Sequence, residues 1–559
     1  EIKVAFKHDL GGRIVKETQG EHCIMRKYDR AGHHVHTESS LGASIDYSHD
    51  KDGNLSEMNS GGWSARWQRD RVGLETEREL TGGVHIKTHH DSLGRETYKS
   101  VGARNVEQFR RSYTWGIGNR LHATEDGLTG RRVRYDYDEF DNLLSAEYKQ
   151  GNDVERIYRI PDRIGNLFET REKDDRKYGA GSRLTEDRDY FYHYDCEGNL
   201  VFKEFRTLDW AGVSVPLGGQ KAHLEEELGI TFRAFGAGWR YDWQSDGMLL
   251  RVVRPDSKEV SFAYDALGRR TEKTYEGVTT HFVWDGNVPL HEWQEVAADA
   301  RKADVTTWLF EQNTFIPAAK LAANGESFSI VSDYLGTPLQ AFDNNGNKVW
   351  EQELDIFGRK KTGNNKSSFI PFKYQGQYED VETGLYYNRF RYYEPNTGTY
   401  ISQDPIGLAG NNPTLYGYVN DINTHLDVLG LTIIPTVTRG ANKEVLTAEA
   451  TIKRSDLGTG TNTNAASRKY ARSLGNADDD VHMIGKQLGG SGGKKLPTAR
   501  ASPSCLITSA LPCRHLTITA TRYGSRNLTS SAEREGRATI IPPSFRLSIR
   551  VSMRMLRRG

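Results

Sequence analysis

The sequence predicts a mainly β protein built from repeated hairpins. Three observations predict this fold: a recurring aromatic run that contains Tyr-Asp, a Gly two or three residues later, and scarce helical periodicity up to about residue 430. Alternating aromatic residues are typical of strands. Asp can bond its own backbone in a turn, and Gly serves where φ must be positive. A mostly antiparallel sheet is therefore expected.

The repeat unit occurs many times within the first 300 residues. Each copy has the pattern of a β-hairpin, with two alternating strands around an Asp and Gly turn. Recurrence of this kind predicts a repeat architecture rather than a single compact core. Copies of differing clarity lie at Phe6–Arg13, Tyr47–Leu55, His89–Arg95, Tyr135–Leu143, Tyr192–Leu200, Tyr241–Leu249 and Phe262–Arg270.

One interruption and one end are visible in the array. Leu208–Gly229 is predicted to be a loop and a short helix. The array is predicted to end within residues 305–360, where Thr307–Phe310, Asp333–Pro338 and Glu353–Arg359 are the final strand and turn signals.

A tyrosine-rich segment, Phe372–Leu408, follows the array and leads to a border in the chain. It is followed by Leu415–Asn420 and by Asp427–Leu431, after which the composition changes. The border is interpreted as the boundary between the repeats and a separate C-terminal domain.

Two aspartates mark this border. Asp404 and Asp427 are 23 residues apart, and each opens an Asp-x-x-Gly turn. If the two turns fold against each other, the carboxylates share a site, one pKa rises, and the pair holds one proton. A general acid and a general base around one water would then be available. The alternative is that both aspartates only cap their turns.

The array and the tyrosine-rich segment together resemble the Rhs/YD-repeat family, which includes bacterial polymorphic toxins and the C components of insecticidal toxin complexes. The resemblance covers nearly all of residues 1–431. It implies that repeats 1–360 spiral into a hollow β-shell around a C-terminal toxin. Residues 361–431 then correspond to the family's core segment with its self-cleavage site.

The resemblance also implies the residues of that cleavage. It places the scissile bond at Leu431–Thr432, with Asp404 and Asp427 catalytic and Arg391 as a supporting charge. The second motif departs from the family pattern, because Val428 stands where the family has Pro. The carboxylate and the glycine are kept, so cleavage stays the expectation.

Residues 432–493 are predicted to be a small α+β domain. The run Asp478–Gly493 resembles the core of the ββα-metal non-specific DNA/RNA endonucleases, which places His482 at the general-base position. Mg²⁺ is the implied cofactor of this domain, and none is implied for the shell. Val481 replaces the expected Gly, and the Asn that would hold the metal is missing, so an active and an inactivated nuclease both stay open.

Residues 494–559 form a basic tail with poor apolar periodicity, and the tail is predicted to be disordered. Thirteen Lys and Arg against two Glu give a net charge of +11. One interpretation is a nucleic-acid-binding tail. The other is a shifted reading frame that begins after Gly493 or Lys494, which the abrupt loss of the family pattern favours.

Composition limits the remaining function classes. Lys plus Arg equals Asp plus Glu at 75 each, which gives the whole chain no signature of a nucleic-acid binder. The sequence contains no apolar stretch of about 18 residues, so no membrane span is expected. Four sparse cysteines argue against a disulfide framework. The start at Glu1 is interpreted as the start of a C-terminal piece that lacks its delivery region.

Two hypotheses on function follow. The first is a toxin made in the bacterial cytoplasm and secreted or delivered into a target cell. Its partners are its own enclosed toxin domain, a cognate immunity protein, a secretion apparatus that acts through the N-terminal region, and nucleic acid as substrate. The second is a structural or adhesive YD-repeat protein that binds surface partners or carbohydrate, as in the animal teneurins. The border motif favours the first.

Overall fold

The computed structural model describes residues 2–431 apart from 209–211, 297–303, 364–366 and 411, together with the backbone of four strands farther along the chain. Thr432, His482 and most of the predicted C-terminal domain and tail lie outside the described residues.

The first half of the repeats forms one antiparallel sheet of 15 strands. Neighbours in sequence are neighbours in the sheet, so the chain runs back and forth without a crossover. The strands are β1 Val4–His8, β2 Ile14–Gln19, β3 His22–Tyr28, β4 His34–Ser39, β5 Ser44–His49, β6 Leu55–Ser60, β7 Trp63–Arg69, β8 Glu75–Leu80, β9 Val84–His90, β10 Glu96–Ala103, β11 Val106–Trp115, β12 Leu121–Asp126, β13 Arg132–Tyr137, β14 Leu143–Gln150 and β15 Asp153–Tyr158.

A short antiparallel pair, β16 Ile160–Pro161 and β17 Leu167–Phe168, connects to a second sheet of 16 strands in the same sequential order. Its strands are β18 Lys177–Tyr178, β19 Leu184–Glu186, β20 Tyr190–Tyr194, β21 Leu200–Phe205, β22 Gly238–Trp243, β23 Leu249–Val253, β24 Glu259–Tyr264, β25 Arg270–Tyr275, β26 Val278–Asp285, β27 Val288–Val296, β28 Thr306–Phe310, β29 Pro317–Leu321, β30 Ser327–Ser332, β31 Pro338–Phe342, β32 Lys348–Leu354 and β33 Lys360–Gly363. The prediction of a mostly antiparallel β fold is confirmed.

The repeated Asp-x-x-Gly turns explain why these strands are joined so tightly. In the turn that starts at Asp265, Oδ1 accepts hydrogen bonds from the backbone N–H groups of Leu267 and Arg269, both at 2.9 Å. Gly268 has a φ of +72°, which favours glycine. The Arg269 side chain then donates from Nε to Asp265 Oδ2 at 2.7 Å. One aspartate therefore closes its turn with both oxygens.

The two large sheets pack against each other through buried side chains. Their shared hydrophobic cluster contains Ile24, Trp63 and Val101 from the first sheet and Leu309 and Phe342 from the second. Because strands bury alternate residues, each strand contributes one face to this core.

A buried ionic group also joins the two sheets, and we call it the seam cluster: Arg269, Asp265 and Glu17. Arg269 contacts both carboxylates, and all three side chains are 1% exposed or less. Arg269 Nη1 also donates to the Gly286 carbonyl at 2.9 Å. The cluster fixes one hairpin of the second sheet against the second strand of the first.

The tyrosine-rich segment folds into a small antiparallel sheet packed against both large ones. Its strands are β34 Tyr378–Asp380, β35 Leu385–Asn388, β36 Arg391–Glu394 and β37 Thr399–Tyr400. Strands β35 and β36 are buried at every position. The tyrosines of this sheet pack in two hydrophobic clusters, which include Phe262 from the second large sheet and Val133 from the first.

The array contains one α-helix among its described residues, α1 Gly218–Leu228, which ends at Gly229 in the left-handed conformation. The prediction of a loop and a short helix within Leu208–Gly229 is confirmed. Single 3-10 turns lie at Ile117–Asn119, Ala180–Ser182, Ser367–Phe369 and Gly407–Gly410. Within the described part of the chain, no helix has the length and apolarity to cross a membrane.

Four further strands lie beyond Leu431 and form a small antiparallel sheet: β38 Thr436–Arg439, β39 Val445–Ile452, β40 Thr517–Ala520 and β41 Leu547–Ser552. The last two fall in the tail, for which the sequence predicts no regular structure. The difference has a local reason, since Leu547–Ser552 alternates apolar and polar residues and Thr517–Ala520 is rich in β-branched residues.

Candidate active site

Arg391 is the centre of the candidate site. It begins β36, directly after the tight turn that joins β35 to β36, in which Arg389 has a φ of +60°. The Arg391 side chain is 1% exposed. Its guanidinium carbon lies 3.7 Å from the centroid of the Tyr400 ring, at the end of β37. The small sheet therefore presents a buried cation to the chain that follows it.

Both border aspartates meet this cation. Arg391 Nη2 lies 3.0 Å from Asp404 Oδ2 and 3.3 Å from Asp427 Oδ2. The carboxylates are 4% and 1% exposed, respectively. We call Arg391, Asp404 and Asp427 the border cluster. With both carboxylates ionised, one guanidinium leaves the cluster with one negative charge in a site shielded from water.

Polar neighbours complete the surroundings of Asp427. Tyr400 donates its hydroxyl to Asp427 Oδ2 at 2.9 Å, and Asn388 Nδ2 donates to the Tyr400 hydroxyl at 2.7 Å. Burial raises the pKa of Tyr400, and the nearby Asp427 carboxylate raises it further. Tyr400 therefore stays protonated and serves as a fixed hydrogen-bond donor.

The cluster also holds one peptide group of its own chain. Arg391 Nε donates to the Gly430 carbonyl at 2.6 Å, and the Leu431 N–H donates to Asp427 Oδ1 at 2.8 Å. Both polar atoms of the Gly430–Leu431 peptide are thus bound by cluster members. This peptide directly precedes the Leu431–Thr432 bond.

Glycine at position 430 is required by this close approach. Gly430 has a φ of +69°, and a Cβ built there would lie 2.8 Å from the Asn388 carbonyl oxygen. Gly376 is similarly constrained, because its Cβ would lie 2.1 Å from the Val428 carbonyl oxygen. The segment that ends at Leu431 therefore runs tightly against the tyrosine-rich segment.

The geometry brings together three of the residues singled out in the sequence. Asp404 and Asp427 both also cap turns, since Asp404 Oδ1 accepts the Ile406 N–H at 2.9 Å and Asp427 Oδ1 accepts the Leu431 N–H at 2.8 Å. The group that joins the two carboxylates is the guanidinium of Arg391, whereas the sequence suggests a pair that shares a proton. Leu431 is at the edge of the site, and Thr432 lies outside the described residues.

His482, the other sequence-predicted catalytic residue, also lies outside the described residues. Two residues of the site, Tyr400 and Asn388, were not predicted from the sequence. Both lie in the tyrosine-rich segment that the sequence singled out, Asn388 at the end of β35 and Tyr400 at the end of β37. Their roles depend on pairing within the small sheet, which residue spacing does not reveal.

Two large antiparallel sheets built from Asp-x-x-Gly hairpins, together with a tyrosine-rich segment packed against them, define a YD-repeat shell. The family model described as the teneurin YD-shell matches residues 75–414. The chain therefore belongs to the YD-shell family. It is also similar to proteins named as toxins or as Rhs proteins.

Two relatives illustrate the toxin resemblance. The probable deoxyribonuclease RhsA of Dickeya dadantii is 28% identical over 532 residues, which cover 88% of this chain and 34% of that protein. The double-stranded DNA deaminase toxin A of Burkholderia cenocepacia is 27% identical over 473 residues, which cover 77% of this chain and 30% of that protein. The chain thus spans about a third of the length of these relatives.

A crystal structure of TcdB2-TccC3 without its hypervariable C-terminal region also matches. The identity is 16% and the TM-score 0.39, with 77% of this chain and 27% of that chain covered.

Proposed function

We propose that this chain is part of an Rhs toxin, whose shell encloses the polypeptide after Leu431 and cuts itself at Leu431–Thr432. Asp404 and Asp427 are the catalytic pair, and Arg391 is the supporting charge. The observation that carries the proposal is that both atoms of the Gly430–Leu431 peptide are bound by Arg391 and Asp427. The reacting carbonyl belongs to the next peptide along the chain.

The proposed cleavage is a hydrolysis that needs one water and one protonated carboxyl group. One carboxylate of the border cluster takes a proton from the water, whose oxygen bonds to the Leu431 carbonyl carbon. The other, protonated, carboxyl gives its proton to the Thr432 nitrogen as the C–N bond breaks. The products are a carboxylic acid at Leu431, which then loses its proton to the new amine or to solvent, and an amine at Thr432. Arg391 balances the negative charge that remains.

The burial of the border cluster supports these roles of the two carboxyl groups. A guanidinium and a phenol hydroxyl are already aimed at the two carboxylates, so few groups need to reorient during the reaction. The Leu431 N–H on Asp427 keeps the chain beside the cluster. Positioning of this kind lowers the entropic cost of bringing the peptide bond to the catalytic carboxyl groups.

We infer further that the effector beyond Leu431 acts on nucleic acid. Support comes from the names of the two relatives, a probable deoxyribonuclease and a double-stranded DNA deaminase toxin, and from the His482 motif. Mg²⁺ is its proposed cofactor. DNA and RNA both stay open as substrates, and so does an inactivated state of the effector.

An immunity protein in the producing cell, delivery through the N-terminal region and release into a target cell complete the proposal. The toxin names of the relatives do not favour the adhesive alternative.

The test is the intact mass of the purified chain under denaturing conditions. The wild type should give two species, one of which begins at Thr432, whereas Asp404→Asn should give a single uncut chain. Asp70→Asn is the matched control, because Asp70–Leu74 has the same Asp-x-x-Gly-Leu pattern but an exposed aspartate. It should be cut like the wild type. A single species in the wild type, or two in Asp404→Asn, refutes the proposed cleavage.

A further inference from the structure

Asn388 connects the small antiparallel sheet to the border cluster through its side-chain amide. Its Nδ2 donates to the main-chain carbonyl of Asp427 at 2.8 Å and to the Tyr400 hydroxyl at 2.7 Å. Asn388 is fully buried, and it pairs with Arg391 across the turn between β35 and β36. Two facing residues of one hairpin therefore reach the same aspartate.

The orientation of this amide follows from its partners. A carbonyl oxygen can only accept hydrogen bonds, so the part of the Asn388 amide that faces the Asp427 carbonyl must be its NH2 group. The same NH2 group donates to the Tyr400 oxygen, which leaves the single hydroxyl hydrogen of Tyr400 for Asp427 Oδ2, at 2.9 Å. The hydrogen bonds thus run in one direction, from Asn388 to Tyr400 and on to Asp427.

Asp427 receives hydrogen bonds on both of its carboxylate oxygens. Oδ2 accepts from the Tyr400 hydroxyl and from Arg391 Nη2 at 3.3 Å, and Oδ1 accepts the Leu431 N–H at 2.8 Å. Donors directed at a carboxylate stabilise its ionised form. This arrangement therefore suits Asp427 as the ionised member of the aspartate pair.

The acceptor position that stays open on Asp427 lies next to the reacting residue. Among the described residues, three donors fill three of the about four acceptor positions of this carboxylate. Oδ2 has both of its positions filled, so the open position is on Oδ1, which also holds the Leu431 N–H. A proton received there comes from a water beside the Leu431 carbonyl.

Asp404 shares the guanidinium of Arg391 with Asp427, since Arg391 Nη2 lies 3.0 Å from Asp404 Oδ2. One guanidinium balances only one of the two negative charges. A proton on one carboxyl group removes the other charge from this buried site. Because the donors on Asp427 oppose a proton there, the proton belongs on Asp404.

We propose that Asn388 and Tyr400 are positioning residues that make Asp427 the base of the proposed cleavage. Asp404 is then the acid. The inference rests on the proposed self-cleavage and assigns the two roles that the carboxyl groups have in it. Neither Asn388 nor Tyr400 touches the reacting atoms, since both act through Asp427.

The step is balanced with these roles. The water oxygen bonds to the Leu431 carbonyl carbon, and Asp427 takes one proton of that water. Asp404 gives its own proton to the Thr432 nitrogen as the C–N bond breaks. Each chain is cut once, so the aspartates do not need to return to their first protonation states.

Four charged or titratable groups surround Asp427 in the described part of the chain: Arg391, Asp404, Tyr400 and Tyr418. Burial, and then the nearby Asp427, raises the pKa of both tyrosines. The tyrosines and the arginine therefore keep their protons from about pH 4 to pH 9. The two aspartates alone determine how the proposed step depends on pH in this range.

The first experiment reads the hydrogen bond to Asp427 without any cleavage. Urea unfolding is measured for Tyr400→Phe, Asp427→Asn and the double variant in the full chain that carries Asp404→Asn, which imitates the neutral acid. Tyr400→Phe should lower the urea midpoint about twice as much with Asp427 intact as with Asp427→Asn, since hydrogen bonds to charged groups are stronger. Equal losses in the two backgrounds overturn the role of Tyr400.

Tyr393→Phe is the matched control for this cycle. Tyr393 is a buried tyrosine of the same small sheet, and its hydroxyl donates to the main-chain carbonyl of Phe357 at 2.7 Å. Its partner carries no charge and does not titrate. The loss caused by Tyr393→Phe should therefore not depend on Asp427.

The second experiment tests the role of Asp427 as the base. Uncut chain is isolated in denaturant and diluted into buffers from about pH 4 to pH 9, and intact mass is followed over time. Tyr400→Phe should slow cleavage about fivefold and move the acid limb of the pH–rate profile up by about one pH unit, because Asp427 then protonates more readily. Tyr393→Phe should keep the wild-type profile. A profile that is lowered by Tyr400→Phe without a shift overturns the assignment.

The third experiment tests the amide of Asn388. Asn388→Asp keeps the shape but replaces the NH2 donor by an oxygen, and it should slow cleavage about tenfold. Asn166→Asp is the control, because Asn166 is also buried and its Nδ2 donates to Asp162 Oδ2 at 2.9 Å, away from the border cluster. Equal slowing by both variants overturns the role of Asn388. If the wild type itself is not cut, the proposed cleavage fails, while the urea cycle still decides whether Tyr400 stabilises ionised Asp427.

Discussion

The seam cluster and the border cluster share a pattern, but Glu17 of the seam cluster also binds a second arginine, Arg26, at 2.9 Å. Only the border cluster adjoins a candidate scissile bond. Each has one arginine between two carboxylates, with every side chain 4% exposed or less. Each arginine also donates to the carbonyl of a glycine with positive φ, Gly286 in one case and Gly430 in the other. Composition and burial therefore do not by themselves distinguish a structural from a catalytic group.

The difference lies in where the arginine comes from. In the seam cluster, Arg269 belongs to the same turn as Asp265 and stands four residues after it. At the border, the residues four after each aspartate are Leu408 and Leu431, which offer no side-chain donor. The second carboxylate oxygens are thus available to an arginine from a separate strand, and the two border turns converge on it.

Because of this difference, the aspartates of the two clusters bind different groups. In the seam cluster, the oxygens of Asp265 bind only its own turn. In the border cluster, Asp427 and Arg391 bind both polar atoms of the peptide before the Leu431–Thr432 bond. An aspartate that caps a turn can therefore be a candidate catalyst where its own turn supplies no side-chain donor to its second oxygen.

The largest expected effect comes from removing each arginine. Arg391→Met should lower the apparent free energy of unfolding by about 3–5 kcal/mol, because it leaves two buried carboxylates without their arginine. Arg269→Met should cost less, because Glu17 keeps its ion pair with Arg26 at 2.9 Å. Only Arg391→Met should also abolish cleavage. Urea unfolding and intact mass measure the two effects. If folded Arg269→Met is uncut as well, cleavage depends on stability and the distinction between the clusters fails.

Acid should weaken the contact between the two sheets. Burial lowers the pKa of His291 to about 4, and the ring bridges the sheets through Ser39 and Thr307. The unfolded chain binds this proton near pH 6.5 and the folded chain does not, so stability is full above pH 6.5 and falls as the pH drops towards 4. The loss amounts to roughly 3 kcal/mol.

The measurement is the melting temperature at pH 7 and pH 4.5 for the wild type and His291→Gln, which cannot take up this proton. The wild type should lose more stability than the variant over this interval. Equal losses would mean that protonation of His291 makes no contribution.

Gly286 and Gly430, the glycines whose carbonyls the two arginines bind, differ in the space available for a side chain. A Cβ at Gly286 meets no atom within 4 Å, whereas a Cβ at Gly430 lies 2.8 Å from the Asn388 carbonyl oxygen. Gly286→Ala should therefore cost only the strain of a positive φ, about 1 kcal/mol. Gly430→Ala should also move the bound peptide and slow cleavage more than tenfold. Equal cleavage rates would show that the position of this peptide does not matter.

Much of the fold was predictable because short-range sequence signals determine its hairpins. Alternating aromatics and Asp-x-x-Gly turns specify hairpins residue by residue, and Gly229 marks the end of the one α-helix found in the described part of the array. The border aspartates were predictable from the same turn signal. Both aspartates contact Arg391, and its role as a supporting charge stays a prediction.

The rest depends on contacts that are distant in sequence. The seam cluster joins Glu17 to Arg269, a separation of 252 residues that no local pattern encodes. Tyr400 and Asn388 reach Asp427 only because the short strands of the tyrosine-rich segment pair in one register.

The smallest expected effect tests the origin of the border cluster most directly. Leu408→Asn gives Asp404 the local partner that Asn54 gives Asp50, where the amide nitrogen lies 3.0 Å from Oδ2. Leu408 is exposed, so the fold should be little affected. The asparagine should compete with Arg391 for Asp404 Oδ2 and slow cleavage about tenfold, equivalent to about 1.4 kcal/mol.

Time courses of intact mass measure this rate, with Leu408→Ala as the control that removes the leucine without adding a donor. Slowing by Asn alone supports the view that a missing local partner makes Asp404 available to Arg391. Equal slowing by Ala would assign the effect to the lost leucine instead. An unchanged rate in Leu408→Asn would mean that Arg391 holds Asp404 regardless of its own turn, and the contrast with the seam cluster would then rest on the bound peptide alone.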